Sequence, residues 1–116
     1  MKKTPPALAG DLAGDASDRR PPLVLLHGLT FDRTMWRPAL AYLAELDQGR
    51  RVLALDLPGH GESPAWASYD LQGLADGVHR AVDEAGLKAP VLVGHSAGGV
   101  IACQPELTSG GVVSLG

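Results

Sequence analysis

Apolar residues fall along this chain in short blocks closed by glycine-containing turns. Leu23-Val24-Leu25-Leu26 runs into His27-Gly28, Val52-Leu53-Ala54-Leu55 into Asp56-Leu57-Pro58-Gly59, and Val91-Leu92-Val93 into Gly94. Blocks of this length, apolar at successive positions and so on both faces, are the pattern of strands buried in a parallel sheet. Val112-Val113-Ser114-Leu115 has the same character. It is the weakest of the set, because Ser96 and Gly111 are only fifteen residues apart, near the minimum for a parallel crossover.

Between the blocks the period changes. Over Thr34 to Leu46, Trp36, Leu40, Leu43 and Ala44 share one helical face, with Pro38 tolerated only in the first turn. From Asp70 to Leu87 the apolar positions Leu71, Leu74, Ala75, Val78, Val82 and Ala85 recur at steps of three and four. Asp70 is placed to cap the start and Gly86 to end it. Gly73 and Gly77 inside this segment each cost roughly 1 kcal/mol of helix propensity, so packing has to hold the helix. The alternation of strand and helix predicts an α/β fold: a parallel sheet of three to four strands with flanking helices and right-handed crossovers. Ligands of such sheets bind outside the carboxyl ends of the strands, where these glycine-rich turns lie.

Residues 1–20 are rich in Ala, Gly, Pro and Asp and carry neither period, which predicts a flexible N-terminal arm with order beginning near Pro21 and a core over residues 21–116. At 116 residues the chain suits one domain. Its formal charge of -3 and the lack of a basic cluster argue against nucleic acid as a partner. No apolar run approaches the ~20 residues needed to span a bilayer, and Thr4-Pro5-Pro6 after the two N-terminal lysines does not continue as an export signal, so no membrane partner is expected. Cys103 is the single cysteine, which rules out a disulfide within the chain and suits a reducing, cytoplasmic setting; as a side chain it reads as a small buried apolar residue. The sequence shows no metal-ligand cluster, P-loop or Rossmann glycine pattern, and no cofactor is expected.

The chemistry concentrates at Gly94-His95-Ser96-Ala97-Gly98, a G-x-S-x-G stretch with an apolar strand before it and a helix-compatible Gly-Val-Ile-Ala after it. A serine at a sharp strand-to-helix bend is held in a strained backbone conformation that projects its Oγ outward. Side chains two positions before and after would meet the bend or neighbouring backbone, so Gly94 and Gly98 stand where glycine is favoured. The N–H of Ala97, at the start of the helix, is a candidate donor to the oxyanion that forms when a serine attacks a carbonyl. The ordinary alternative is a glycine-rich turn with an incidental serine.

Three motifs in order, Leu25-Leu26-His27-Gly28-Leu29, Asp56-Leu57-Pro58-Gly59-His60-Gly61-Glu62-Ser63 and Gly94-His95-Ser96-Ala97-Gly98-Gly99, make residues 21–103 resemble the α/β-hydrolase superfamily, in its serine-nucleophile esterase, lipase and peptidase-like branch. The resemblance implies a partial α/β-hydrolase fold in which the strand ending at His27 lies beside the strand ending at Val93, bringing His27-Gly28 next to Ser96. It implies Ser96 as nucleophile, the N–H of Leu29 as second oxyanion donor, and Gly28 as the point where backbone closely approaches substrate. Thr30, Phe31 and Trp36 then line a pocket or, for the two aromatics, simply pack the core. The Asp56–Ser63 loop helps shape the site, its charges mostly making local hydrogen bonds.

A serine needs a base, and in this family the acid and then the histidine follow the nucleophile in chain order. Only twenty residues follow Ser96 and none is His or Asp; Glu106 has no histidine behind it. The expectation is therefore a chain that stops before the acid and His of the triad. His27, His60, His79 and His95 read first as structural residues, with His27 and His60 ahead as substitutes. Pro105 is expected to cut short the helix after Ser96. The expected function is a serine hydrolase acting on esters or related small-molecule acyl compounds. The alternatives are a non-catalytic remnant or small-molecule-binding fragment, or an assembly that another chain completes. Sheet edges left open on both sides favour self-association.

Overall fold

In a computed structural model the chain is described over residues 4–104, 107 and 110–115. The expectations for Pro105 and Glu106 lie outside the described residues. In chain order the elements are β1 (Gly10–Ala13), β2 (Leu23–Leu26), a short 3-10 helix (Arg33–Trp36), α1 (Arg37–Leu46), β3 (Val52–Leu55), α2 (Leu71–Glu84), β4 (Val91–His95), α3 (Ala97–Ala102) and β5 (Gly111–Leu115). The sheet order is β1-β3-β2-β4-β5, with β2, β3, β4 and β5 parallel and β1 antiparallel to β3.

Alternation along the strands divides the core. Val24, Leu26, Leu53, Leu55 and Leu92 face α2 and α3, where they meet Val78, Val82, Ile101 and Ala102. Leu25 and Ala54, with Val52, face the other way and pack with Trp36 and the half-buried Leu40 and Leu43. The second layer is thin, since no residue of α1 is fully buried. Asp70 caps α2 by accepting the Gly73 N–H at 2.6 Å, and Gly86, at φ 72°, closes its far end; glycine tolerates that left-handed conformation at no steric cost. Pro38 sits in the first turn of α1, where its missing N–H is no loss.

The α/β class and the flanking helices are as expected, but the sheet is larger and mixed. Part of the segment expected to be a flexible arm is its antiparallel edge: Gly10 pairs with Leu55 and Ala13 with Val52. The approach to that edge is also tied down. The Asp56 N–H donates to the Ala9 carbonyl at 2.9 Å, the Trp66 indole N–H to the Pro6 carbonyl at 3.1 Å, and the Arg80 guanidinium to the Pro5 carbonyl at 2.7 Å. A four-residue strand with all its side chains exposed is held by its backbone partners, which no hydrophobic period announces.

The short crossover after β4 does reach a further strand. β5 runs parallel to β4 from the Val91–Gly111 pair to the His95–Leu115 pair, and the Ser96 N–H donates to the Leu115 carbonyl at 2.8 Å. Val112, Val113 and Leu115 are each more than two-fifths exposed. Cys103 is exposed rather than buried, because α3 ends at Ala102 and turns the next residue outward.

Leu26 is fully buried where β2 meets the larger core. Leu26→Ala is expected to lower unfolding free energy by about 2–5 kcal/mol in urea titrations. Leu46→Ala, at a position 82% exposed on α1, should stay within about 0.5 kcal/mol of the parent.

Candidate functional site

Ser96 occupies the bend between β4 and α3 with φ 54° and ψ -113° and is exposed. A non-glycine residue in that conformation is strained, and such strain persists only where the surroundings over-determine it. The surroundings here are backbone. A Cβ on Gly94 would overlap the Gly98 carbonyl and the Gly99 nitrogen; a Cβ on Gly98 would overlap the carbonyls of Leu26 and His27. The bend therefore fits only with glycine at both positions, and it lies directly against the end of β2.

That contact brings the first and third motifs together. A Cβ on Gly28 would stand 2.8 Å from His95 Nδ1 and 3.3 Å from the Ser96 Cβ, so the Gly28 backbone runs alongside the serine. Gly28 opens a turn closed by the Phe31 N–H donating to the Gly28 carbonyl at 3.2 Å, with Thr30 at φ 70°. Neither the Leu29 N–H nor the Ala97 N–H has a hydrogen-bond partner among the described residues, and both residues border one cavity of about 480 Å³. Leu57, Pro58, Leu74 and Ile101 give that cavity an apolar wall; His60 and Tyr69 bring polar atoms to it. Apolar walls with few polar groups are the usual make-up of small-molecule sites.

The histidines separate by environment. His27 is fully buried; its Nδ1 lies 2.7 Å from the Gly28 carbonyl, and its Nε2 accepts the Leu57 N–H at 2.9 Å. An Nε2 that accepts and an Nδ1 facing a carbonyl define one neutral tautomer, with the proton on Nδ1. Both nitrogens are occupied, so His27 is not free to take a proton from Ser96. Burial pushes its imidazole below the ordinary histidine value; the His60 ring, centred 5.0 Å away, acts in the same direction, while the Gly28 bond and the charges of Asp56 and Asp32 oppose it. His60 shares its Nδ1 with the Pro58 carbonyl at 3.0 Å and borders the cavity. His95 and Phe31 meet edge-to-face, with centroids 5.9 Å apart, and the buried His95 Nδ1 has no partner among the described residues. His79 is exposed on α2 beside Asp83. Among the described residues no histidine hydrogen-bonds the Ser96 hydroxyl.

Of the aromatics expected near a pocket, Trp36 is core and Phe31 stays half exposed beside His95. The Asp56–Ser63 loop is wired locally, as anticipated. The buried Asp56 carboxylate accepts the Arg33 N–H at 2.7 Å and the Glu62 N–H at 2.9 Å, and the Ser63 hydroxyl donates to the Asp56 carbonyl at 2.7 Å. Sequence reasoning missed Arg33, whose guanidinium pairs with Asp56, Glu62 and Asp11 and so joins the turn after Gly28, this loop and β1. One arginine after an aspartate carries no sequence signal for that role.

Stability should report the buried neutral state of His27. The unfolded chain protonates it near 6.5 and the folded chain only at lower pH, so stability is full above 6.5 and is lost as pH falls below it toward the folded value. Urea midpoints measured between about pH 7 and pH 5 should decline more steeply in the parent than in His27→Asn.

A family model described as "Alpha/beta hydrolase family" matches residues 23–115. The chain is 46% identical over 84 residues to the "Dihydrolipoyllysine-residue acetyltransferase component of acetoin cleaving system" of Pseudomonas putida, covering 69% of this chain and 21% of that protein. It is 40% identical over 96 residues to "Epoxide hydrolase 4" of Mus musculus, covering 76% of this chain and 26% of that one. Its fold superposes on an esterase from Exiguobacterium antarcticum with TM-score 0.77 and 26% identity, over 92% of this chain and 40% of the esterase. The chain thus spans a fifth to about two-fifths of these relatives. With the match running from the start of β2 to the end of β5 and the strained serine bend inside it, this chain belongs to the alpha/beta hydrolase family.

Proposed function

We infer that the chain carries the nucleophilic half of a serine hydrolase acting on esters or related acyl compounds. Ser96 Oγ attacks the acyl carbon, its proton passes to a base, and the N–H groups of Leu29 and Ala97 hold the oxygen as it becomes negative. The leaving alcohol departs with a proton, and water then releases the acid and restores the serine. The apolar cavity bordered by Leu29 and Ala97 takes the hydrocarbon part of the substrate. The observation that carries this reading is the φ 54° conformation of Ser96, enforced by Gly94 and Gly98 and exposed beside two unpartnered N–H groups. A cytoplasmic setting belongs to the same reading and rests on the single cysteine.

One observation favours a second reading, a fragment that binds a small molecule without turning it over: the Ser96 hydroxyl hydrogen-bonds no histidine among the described residues. A fluorophosphonate probe separates the two. Ser96-dependent labelling of the purified chain, abolished in Ser96→Ala, is the result expected for an activated serine; labelling equal in both proteins, or in neither, favours the binding fragment. Loss of labelling in His60→Ala would identify His60, whose Nε2 carries no bond to the described residues, as an internal base. Self-association through β1 or β5 is read independently by sedimentation: a concentration-dependent dimer is expected, and a monomer at all concentrations rejects it.

A further inference from the structure

His27 is the one histidine with both ring nitrogens engaged, and one of its bonds goes to the peptide plane that carries the Leu29 N–H. A peptide unit is planar and trans, so its C=O and N–H point in opposite directions. The Gly28 carbonyl is drawn inward by the buried Nδ1 at 2.7 Å and by the Phe31 N–H at 3.2 Å. Its opposite edge, the Leu29 N–H, is thereby turned away from the His27 ring, on the side where Leu29 and Ala97 border the same cavity. The other ring nitrogen is anchored on a different segment, since Nε2 accepts from Leu57 just beyond β3. The turn itself is not self-supporting: Thr30 is β-branched at φ 70°, a conformation that such residues avoid.

We propose that His27 is the positioning residue of this site, a neutral clamp between the end of β3 and the Gly28 carbonyl that sets the direction of the Leu29 N–H. It touches no substrate atom and exchanges no proton during the reaction. The proposal rests on the hydrolase reading only for its consequence; the clamp is a property of the folded chain. The charged and titratable groups around it are His60, its ring tilted by 56° with centroids 5.0 Å apart, Asp56 from just beyond β3 and Asp32 from the turn. Protonation would place a second donor on Nε2 opposite the Leu57 N–H and break the anchor while leaving the Gly28 bond.

Two substitutions divide the clamp. The side-chain NH₂ of His27→Asn reaches the place of Nδ1 and can still donate to the Gly28 carbonyl. The carbonyl of His27→Gln reaches the place of Nε2 and can still accept from Leu57, but nothing then donates to Gly28. Fluorophosphonate labelling of Ser96 should stay within about threefold of the parent in His27→Asn and fall roughly tenfold or more in His27→Gln, the effect of misplacing one oxyanion donor. Thermal unfolding of both variants, run in parallel, shows whether the loss follows stability instead. Labelling that falls equally in the two, in step with their unfolding temperatures, overturns the proposal.

The wild-type chain supplies a readout that needs no activity. Ring nitrogen NMR shifts should show His27 as the Nδ1–H tautomer, and the Leu29 amide nitrogen should shift in His27→Gln and not in His27→Asn. An Nε2–H tautomer, or the same Leu29 shift in both variants, overturns the clamp. Absence of Ser96-dependent labelling in the parent overturns the hydrolase reading alone, because the tautomer and the Leu29 shift still decide the clamp.

Discussion

The site depends on one backbone contact, the bend after β4 pressed against the carbonyl end of β2. A side chain at Gly94 or Gly98 would occupy space already filled by peptide atoms, so the approach exists only because both positions lack a Cβ. From that contact the rest follows in order. Ser96 is forced into its strained conformation, Gly28 is brought alongside it, and the turn from Gly28 to Phe31 faces the start of α3. The strain at Ser96 is local, and it is borne by a five-stranded sheet whose Leu26, Leu55 and Leu92 are fully buried on one side.

Around this contact the Leu29 and Ala97 N–H groups and the His95 Nδ1 have no partner among the described residues, whereas the fully buried polar side chains bond to backbone. Among the described residues His27, Asp56 and Ser63 are the buried polar side chains, and each bonds main-chain atoms of a segment beyond its own strand or turn. Such bonds carry a large penalty for removal, since the abandoned backbone group stays buried without water. They also explain why the loop from Asp56 to Ser63 belongs with the site: Asp56 and Arg33 fix the segment that follows Phe31. The buried imidazole of His27 joins the same wiring in its neutral form, which a buried position favours over the charged one.

The two faces of the sheet are unequally covered. α2 and α3 close one face into a continuous core, whereas α1 covers the other without burying any residue of its own, and β5 leaves Val112, Val113 and Leu115 substantially exposed. The esterase from Exiguobacterium antarcticum superposes on 92% of this chain, which spans 40% of that protein. The cavity bordered by Leu29 and Ala97 takes most of its lining from the loop between β3 and α2, from Leu57 to Tyr69, with Leu74 of α2 and Ile101 of α3 completing an apolar wall.

The order of strands and helices, the cap at Asp70, the stop at Gly86 and the need for glycine around Ser96 were legible in the sequence, because each follows from short-range rules: side-chain period, capping chemistry and the absence of a Cβ. Three features were not. β1 is too short and too exposed to show a period, and its partner lies some forty residues away. Cys103 turns outward because α3 ends one residue before it. The tautomer of His27 is set by a Leu57 amide in the loop beyond β3, thirty residues along the chain. The sequence determined where a serine would be strained; only the tertiary structure decided which peptide groups and which histidine would stand around it, since those partners meet through space and no local pattern encodes their direction.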